Sequence, residues 1–119
     1  MRSNESAEDY LETILILGKR LPVVRGVDIA GELGYRKSSV SIAMKNLREK
    51  GLIAVSEQGF ICLTESGKKI AEDVYERHTT ISEWLISLGV SPETAEADAC
   101  RIEHVISLES FEAIKKIME

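Results

Sequence analysis

The sequence has 119 residues with 15 basic and 20 acidic side chains, which gives a net charge of −5 with neutral histidines. No apolar run approaches the roughly 20 residues needed to cross a bilayer, so the composition excludes a membrane-spanning protein. The opening residues MRSNESAEDYLE carry one arginine and four acidic residues, so we expect no export signal and a cytosolic protein. Because thiols stay reduced in the cytosol, Cys62 and Cys100 are expected to be packed thiols or ligands.

The charges are distributed unevenly along the chain. Residues 13–77 contain eleven Lys/Arg against eight Asp/Glu, whereas residues 1–12 contain one against four and residues 78–119 contain three against eight. Acidic ends that fold together would repel each other unless a cation lay between them. The alternative interpretation is that these charges are ordinary solvated helix faces.

The first half of the sequence predicts three short helices and a β-hairpin. Apolar residues recur at helical spacing in three segments, residues 7–17, 27–33 and about 36–50. Ser6 is the predicted N-cap of the first helix. The period then changes to two in residues 53–55 and 60–63, on either side of a glycine-containing turn, which predicts a two-stranded wing.

The second half of the sequence predicts further helices. Thr64 is positioned to cap a long helix that ends at Gly89. Ser91 followed by Pro92 is a strong start signal for a helix that runs to about Val105, and Ser107 is positioned to cap a last helix. The predicted fold is therefore mostly α with a small β wing.

Three helices followed by a wing is the element order of a winged helix-turn-helix, whose third helix enters the DNA major groove. Residues 36–50 contain five basic residues against Glu49 alone, although the whole chain is acidic. Small hydroxyl side chains allow close approach to bases, and the cations suit phosphates. The predicted DNA-binding residues are Arg36, Lys37, Ser38, Ser39, Ser41, Ile42, Lys45 and, at the wing tip, Gln58. A plain amphipathic helix with a basic solvated face is the alternative.

Two clusters of potential metal donors lie in the acidic ends. Asp9 and Glu12 are spaced i, i+3 and share one helix face. Cys100, Glu103 and His104 are spaced i, i+3, i+4 on a later predicted helix and combine donors that a first-row divalent metal accepts. Each cluster by itself is more often a surface feature than a metal site. Paired Cys-x-x-Cys spacing is absent, which excludes a zinc ribbon.

The sequence resembles a known family over nearly its whole length. SAEDYLETI, DIAGELGYRKSSVSIAMKNLREKGLI, LTESGKKIAEDVYERH and EADACRIEHVIS resemble segments of the metal-dependent repressors of the diphtheria toxin repressor and manganese transport regulator family. The resemblance implies a winged helix-turn-helix DNA-binding domain in residues 1–73. It implies an α-helical dimerisation and metal-binding domain in residues 74–119.

Transferred residue by residue, the resemblance gives six candidate metal ligands: Asp9, Glu12, His78, Cys100, Glu103 and His104. Asp9 resembles the manganese-sensing branch, which has aspartate where the iron-sensing branch has methionine. Cys100 resembles the iron-sensing branch, which has cysteine there. The set therefore combines features of both branches.

We predict a cytoplasmic, homodimeric transcriptional repressor that binds operator DNA when Mn²⁺ or Fe²⁺ is present, with Co²⁺ or Zn²⁺ possible in vitro. The alternative is a metal-independent winged helix that binds a protein partner. No catalytic motif is found, so an enzyme is not expected. Cys62 is predicted to be a packed wing residue, and Trp84 is predicted to anchor the dimer core.

Overall fold

The computed structural model describes residues 5–119, with side chains from Ser6 onward. These residues form six helices and one two-stranded sheet. The chain divides into two compact units, of which the first ends at Glu72 and the second spans Asp73–Glu119. The predicted fold class, mostly α with a small β wing, is confirmed.

Three helices open the first unit: α1 (Glu5–Arg20), α2 (Gly26–Leu33) and α3 (Lys37–Glu49). The prediction that Ser6 caps the first helix is wrong, because Ser6 lies inside α1. Gly34 ends α2 with φ 71°, a left-handed conformation that glycine adopts without steric cost, and its N–H donates to the Ala30 carbonyl. The α2–α3 turn is therefore short and fixed.

Apolar side chains from all three helices and both strands form the core of the first unit. Their spacing along α1 and α3 is that of one buried helix face. The buried members of this core are Tyr10, Leu11, Ile14, Leu17, Val24, Ile29, Ala30, Val40, Met44, Leu47, Ile53, Ile61 and Ala71. This continuous core holds α3 against α1 and α2.

The wing consists of β1 (Ile53–Val55) and β2 (Ile61–Leu63), which pair in antiparallel register with Ala54 opposite Cys62. Side chains alternate between the two faces of a strand, and Ile61 takes the buried face. Cys62 is consequently exposed, so the prediction that it is a packed wing residue is wrong. The residues around Cys62 are apolar throughout, so the sequence contains no signal for this choice.

The wing is also tied to the start of α4 (Glu65–Ser87). The Thr64 hydroxyl donates to the Gly51 carbonyl at 2.7 Å and accepts the Gly67 N–H at 3.2 Å, which confirms the predicted N-cap. A Cβ built on Gly67 would lie 1.9 Å from the Leu52 carbonyl oxygen. Position 67 therefore accepts only glycine without a backbone shift.

The second unit contains the rest of α4, α5 (Pro92–Ile102) and α6 (Leu108–Met118). Ser91 and Ser107 are N-caps whose hydroxyls accept the N–H groups of Thr94 and Ser110, as the sequence predicts. Among the described residues, the apolar cluster of the second unit is small. The cluster consists of buried Ile81, Ala99 and Phe111, with Leu85, Ile102 and Ile106 packed against them.

Candidate metal centre and DNA-binding surface

The α3 helix presents a polar, cationic face to solvent. Val40, Met44 and Leu47 are buried on the opposite face, which fixes the rotation of the helix. All the predicted DNA-binding residues are exposed: Arg36, Lys37, Ser38, Ser39, Ser41, Ile42 and Lys45 on or next to α3, and Gln58 in the wing turn. The exposed fraction of Ile42 is 63%, which is unusual for an isoleucine and suits an apolar contact with a ligand.

Two further cations, Arg48 and Arg25, belong to this surface and are not among the predicted residues. Arg48 lines a groove of about 280 Å³ between α3 and the wing, together with Lys45 and Gly59. Arg25 is exposed, and its guanidinium lies 5.2 Å from the centroid of the Phe60 ring at the base of the wing. The i, i+3 spacing of Lys45 and Arg48 places both on one helix face and could have identified Arg48.

The α1 helix carries acidic side chains that are partly withdrawn from solvent. Glu12 is buried, with 8% of its surface exposed, and Asp9 is half-buried. Glu8, which is not among the predicted ligands, is also buried. Removing carboxylates from water is costly unless partners compensate the charge. The acidic face of α1 is thus more than a solvated helix surface.

Glu103 is the centre of a polar cluster in the second unit. Its side chain is fully buried, and its Oε1 lies 2.6 Å from Nδ1 of His78. The Arg77 Nε–H donates to the Glu103 backbone carbonyl at 2.8 Å. His104, also fully buried, places Nε2 3.5 Å from the other carboxylate oxygen, Oε2.

The second carboxylate oxygen of Glu103 is the unusual atom of this cluster. Within residues 5–119, Oε2 is buried and has no hydrogen-bond partner. Leaving a buried acceptor unsatisfied costs about 1–3 kcal/mol, and more when the group is charged. An unsatisfied carboxylate oxygen beside two imidazoles is the donor set that a divalent cation accepts, so these residues fit a metal ion.

The structure corrects the local setting of the later cluster. The prediction placed Glu103 and His104 inside a helix ending near Val105, but α5 ends at Ile102 and Glu103 is its C-cap. Cys100 remains on the helix and is exposed, whereas Glu103 and His104 are fully buried. His78 was predicted only from the resemblance, and α4 places it against Glu103.

The predicted ligands thus fall into groups within each unit. His78, Glu103 and His104 are brought together in the second unit, and Asp9 and Glu12 lie on α1 in the first. That all of them contribute to one metal centre stays a prediction. Glu96 was not predicted as a site residue, yet its Oε1 lies 2.9 Å from Nε2 of His78.

A winged helix-turn-helix followed by a helical unit with a buried carboxylate–imidazole cluster defines the class of metal-responsive DNA-binding regulators. The family models agree. Residues 3–59 match the N-terminal DNA-binding domain of the iron-dependent repressors, and residues 64–119 match their metal-binding and dimerisation domain. The chain belongs to this family of metal-dependent, DNA-binding transcriptional repressors of metal homeostasis, which are regulators and not enzymes.

Individual relatives support this assignment. The chain is 37% identical over 111 residues to the transcriptional regulator MntR of Escherichia coli O6:H1, covering 93% of this chain and 72% of that protein. It is 31% identical over 114 residues to the HTH-type transcriptional regulator MntR of Geobacillus kaustophilus, covering 96% and 81%.

Solved structures share the fold. A manganese-dependent transcriptional repressor in complex with manganese superposes with a TM-score of 0.85 and 27% identity, covering 92% of this chain. This chain spans about half, 51%, of that structure's length. Among the described residues, no helix combines the length and apolarity that a membrane crossing requires.

Proposed function

We propose that this chain is a cytoplasmic, homodimeric repressor that binds operator DNA when its metal centre is occupied by Mn²⁺. Fe²⁺ is the second candidate metal. The observation that carries the proposal is the buried Glu103 carboxylate, which contacts His78 through Oε1 and leaves Oε2 without a hydrogen bond beside His104. The relatives named above as manganese-dependent or as MntR favour Mn²⁺ over Fe²⁺.

The proposed ligands come from both units. Carboxylates and imidazoles suit Mn²⁺ and Fe²⁺, whereas a thiolate is softer and favours later metals. Because Cys100 is exposed, its thiol is the member of the set that the local structure supports least. The proposed ligands are Asp9, Glu12, His78, Cys100, Glu103 and His104.

The regulatory mechanism that we propose is electrostatic. Carboxylates that share one site repel each other unless a cation lies between them. The proposed ligands would hold a divalent metal ion, which would supply the compensating positive charge. Arg77 holds the backbone carbonyl of Glu103, and His78 holds its side chain, so part of the centre is preorganised in the second unit.

On the DNA side, we propose that α3 lies in the major groove. Arg36, Lys37 and Lys45 would neutralise phosphates, and Arg48 joins them because it lines the groove beside the wing. Ser39 and Ile42 are short or apolar and would contact base edges or a thymine methyl group. In a dimer, two such helices must lie about 34–36 Å apart to enter successive major grooves.

The homodimer is proposed from the second unit. The matching family model describes this region as a dimerisation domain. Leu88, Val105, Leu108 and Ile117 are each more than 60% exposed, which is more apolar exposure than a small monomeric unit normally carries. Trp84 is half-buried and stays a predicted anchor of the dimer core.

The direct test is a metal titration of DNA binding. DNA duplexes are selected from a random pool on the protein with Mn²⁺, and fluorescence anisotropy then measures affinity with increasing Mn²⁺. We expect affinity to rise with Mn²⁺ in the wild type and not in Asp9→Asn, which keeps the side-chain shape but removes the charge. DNA affinity that does not change with Mn²⁺ would overturn the metal dependence, whereas selection of no duplex would favour the alternative of a protein-interaction module.

A salt titration tests the DNA-binding surface separately. If Lys45 neutralises a phosphate, Lys45→Ala should reduce the slope of log affinity against log salt by about one. Lys69→Ala, at an exposed position on α4, is the matched control and should leave the slope unchanged. An unaltered slope in Lys45→Ala would remove this residue from the DNA interface.

A further inference from the structure

His78 lies between two carboxylates of unlike surroundings. Nδ1 is 2.6 Å from Oε1 of Glu103, and Nε2 is 2.9 Å from Oε1 of Glu96. The side chain of Glu103 is 0% exposed, whereas that of Glu96 is 68% exposed. The Nδ1 side of the ring therefore faces the buried polar cluster, and the Nε2 side faces a carboxylate near solvent.

The two ring nitrogens cannot play the same role toward a metal ion. A neutral imidazole has one N–H, and only the other nitrogen has a lone pair to offer as a ligand. Metal-ligating histidines almost always donate the remaining N–H to a carboxylate, a carbonyl or water, which fixes the tautomer and the ring orientation. In this cluster, Nδ1 is the nitrogen that faces the Glu103 carboxylate, whose other oxygen, Oε2, is unsatisfied, so Nδ1 lies on the metal side of the ring.

We propose that Glu96 is a positioning residue for the metal centre. With the metal ion bound, it accepts the Nε2–H of His78 and thereby leaves the Nδ1 lone pair available to the metal beside Glu103. Without the metal ion, Nδ1 and Oε1 of Glu103 lie 2.6 Å apart and share a hydrogen bond. Glu96 does not contact the metal itself in this assignment. The inference rests on the proposed function, since it assigns a role around the same centre.

The helix geometry supports this role for Glu96. Glu96 lies in the middle of α5, and the helix start is fixed by the Ser91 cap, whose hydroxyl accepts the Thr94 N–H. Buried Ala95 and Ala99 hold the neighbouring face of α5 in the second unit. The carboxylate is thus presented from a well-anchored helix, although its own side chain is exposed.

Mn²⁺ binding to the full chain separates positioning from direct ligation. We expect Glu96→Ala to weaken Mn²⁺ binding by about 10–100-fold, the usual cost of losing such a partner, in isothermal titration calorimetry. Glu96→Gln should restore most of the affinity, because an amide oxygen still accepts the Nε2–H. Glu93→Ala, at an exposed acidic position on the same helix, is the matched control and should bind like the wild type.

A spectroscopic readout reports the tautomer itself. In Zn²⁺-loaded protein with ¹⁵N-labelled histidine, long-range ¹H–¹⁵N correlation spectra resolve the ring nitrogens, and the sequence contains only two histidines. We expect metal-bound Nδ1 and protonated Nε2 for His78 in the wild type and in Glu96→Gln. In Glu96→Ala, we expect a second ring state or faster exchange of the Nε2 proton.

The possible failures are distinguishable. If Glu96→Gln loses as much affinity as Glu96→Ala, Glu96 is a direct ligand and the positioning role is wrong. Metal-bound Nε2 in the wild type, or identical spectra and affinity for Glu96→Ala and the wild type, would also overturn the inference while leaving the metal centre intact. Absence of Mn²⁺ and Zn²⁺ binding in the wild type would overturn the proposed function as well.

Discussion

The two units of the chain bury different kinds of side chain. The first unit buries a continuous apolar core drawn from three helices and the wing. The second unit has a small apolar cluster of Ile81, Ala99 and Phe111 among the described residues, and it fully buries the polar side chains of Glu103 and His104. It also exposes large apolar side chains on α6, with Leu108 at 74% and Ile117 at 75%.

This difference shows what each unit requires for stability. Apolar burial at about 25 cal/mol per Å² lets the first unit stabilise its own fold and hold α3 in place. The second unit places a carboxylate and an imidazole where apolar side chains would be more stabilising. In the proposed function, a metal ion and a second copy of the chain would compensate for this loss of stability, because the buried polar groups serve function.

The largest expected effect is at Gly67, where helix α4 begins close to the backbone of Leu52. Gly67→Ala would place a Cβ 1.9 Å from the Leu52 carbonyl oxygen. The forced shift of α4 from the wing should lower the free energy of unfolding by about 3 kcal/mol, measured by urea denaturation with circular dichroism.

Gly31→Ala is the control for this substitution. Position 31 lies inside α2 with no heavy atom within 4 Å of the added Cβ. Alanine should therefore stabilise the helix there by about 0.5–1 kcal/mol. Equal stability of the two variants would contradict the close contact at Gly67.

The next largest effect is the dependence of the free energy of unfolding on Mn²⁺, which tests the proposed metal centre of the second unit. Mn²⁺ at 100 times its dissociation constant should raise the free energy of unfolding by about 2.7 kcal/mol in the wild type. Glu103→Gln should lose this gain, because an amide is a poor ligand. In metal-free protein, the same variant should lie within about 1 kcal/mol of the wild type, since the wild-type carboxylate has an unsatisfied oxygen.

The control for Glu103→Gln is Glu109→Gln on the exposed start of α6. It should retain the full Mn²⁺-dependent increase in thermal denaturation experiments. A Glu103→Gln variant that also retains the increase would place the metal elsewhere.

A smaller effect is expected at the exposed apolar face of α6. Leu108→Ser combined with Ile117→Ser should raise the dimer dissociation constant about tenfold, because each change removes apolar surface from the proposed interface. Sedimentation velocity over a range of concentrations measures this. Val27→Ser, at a position 51% exposed in the first unit, should leave the association unchanged.

The smallest expected effect is the pH dependence that the Tyr10 phenol gives to the stability of the first unit. Burial, with a smaller contribution from Tyr35, raises the pKa of Tyr10 above its ordinary value of 10.0. The pKa is higher in the folded than in the unfolded chain, so this contribution to stability is complete below pH 10 and is lost as the pH rises through the folded pKa.

Unfolding measured between about pH 9 and pH 11.5 tests this sign. The stability of the wild type should fall more steeply above pH 10 than that of Tyr10→Phe, which has no phenol to ionise. Tyr75→Phe, at an exposed position in the second unit, should follow the wild type. A steeper fall in Tyr10→Phe would contradict the direction of the shift.

The sequence by itself determined the local structure to within a few residues. The Ser91, Ser107 and Thr64 caps depend on hydrogen bonds to groups three residues away, so sequence spacing is sufficient to predict them. The wing strands follow from a change of apolar period, which is equally local. Where the structure begins α1 before Ser6, the error is also local, because helix ends are weakly specified.

Only the tertiary structure decided which side chains are buried and which atoms meet. Cys62 and Ile61 are neighbours with similar apolar character, and packing of the wing against the core chose Ile61 for the buried face. The contacts of His78 with Glu103 and Glu96 join residues 25 and 18 positions apart. No local pattern encodes such contacts, because the position of α4 against α5 depends on how the whole unit packs.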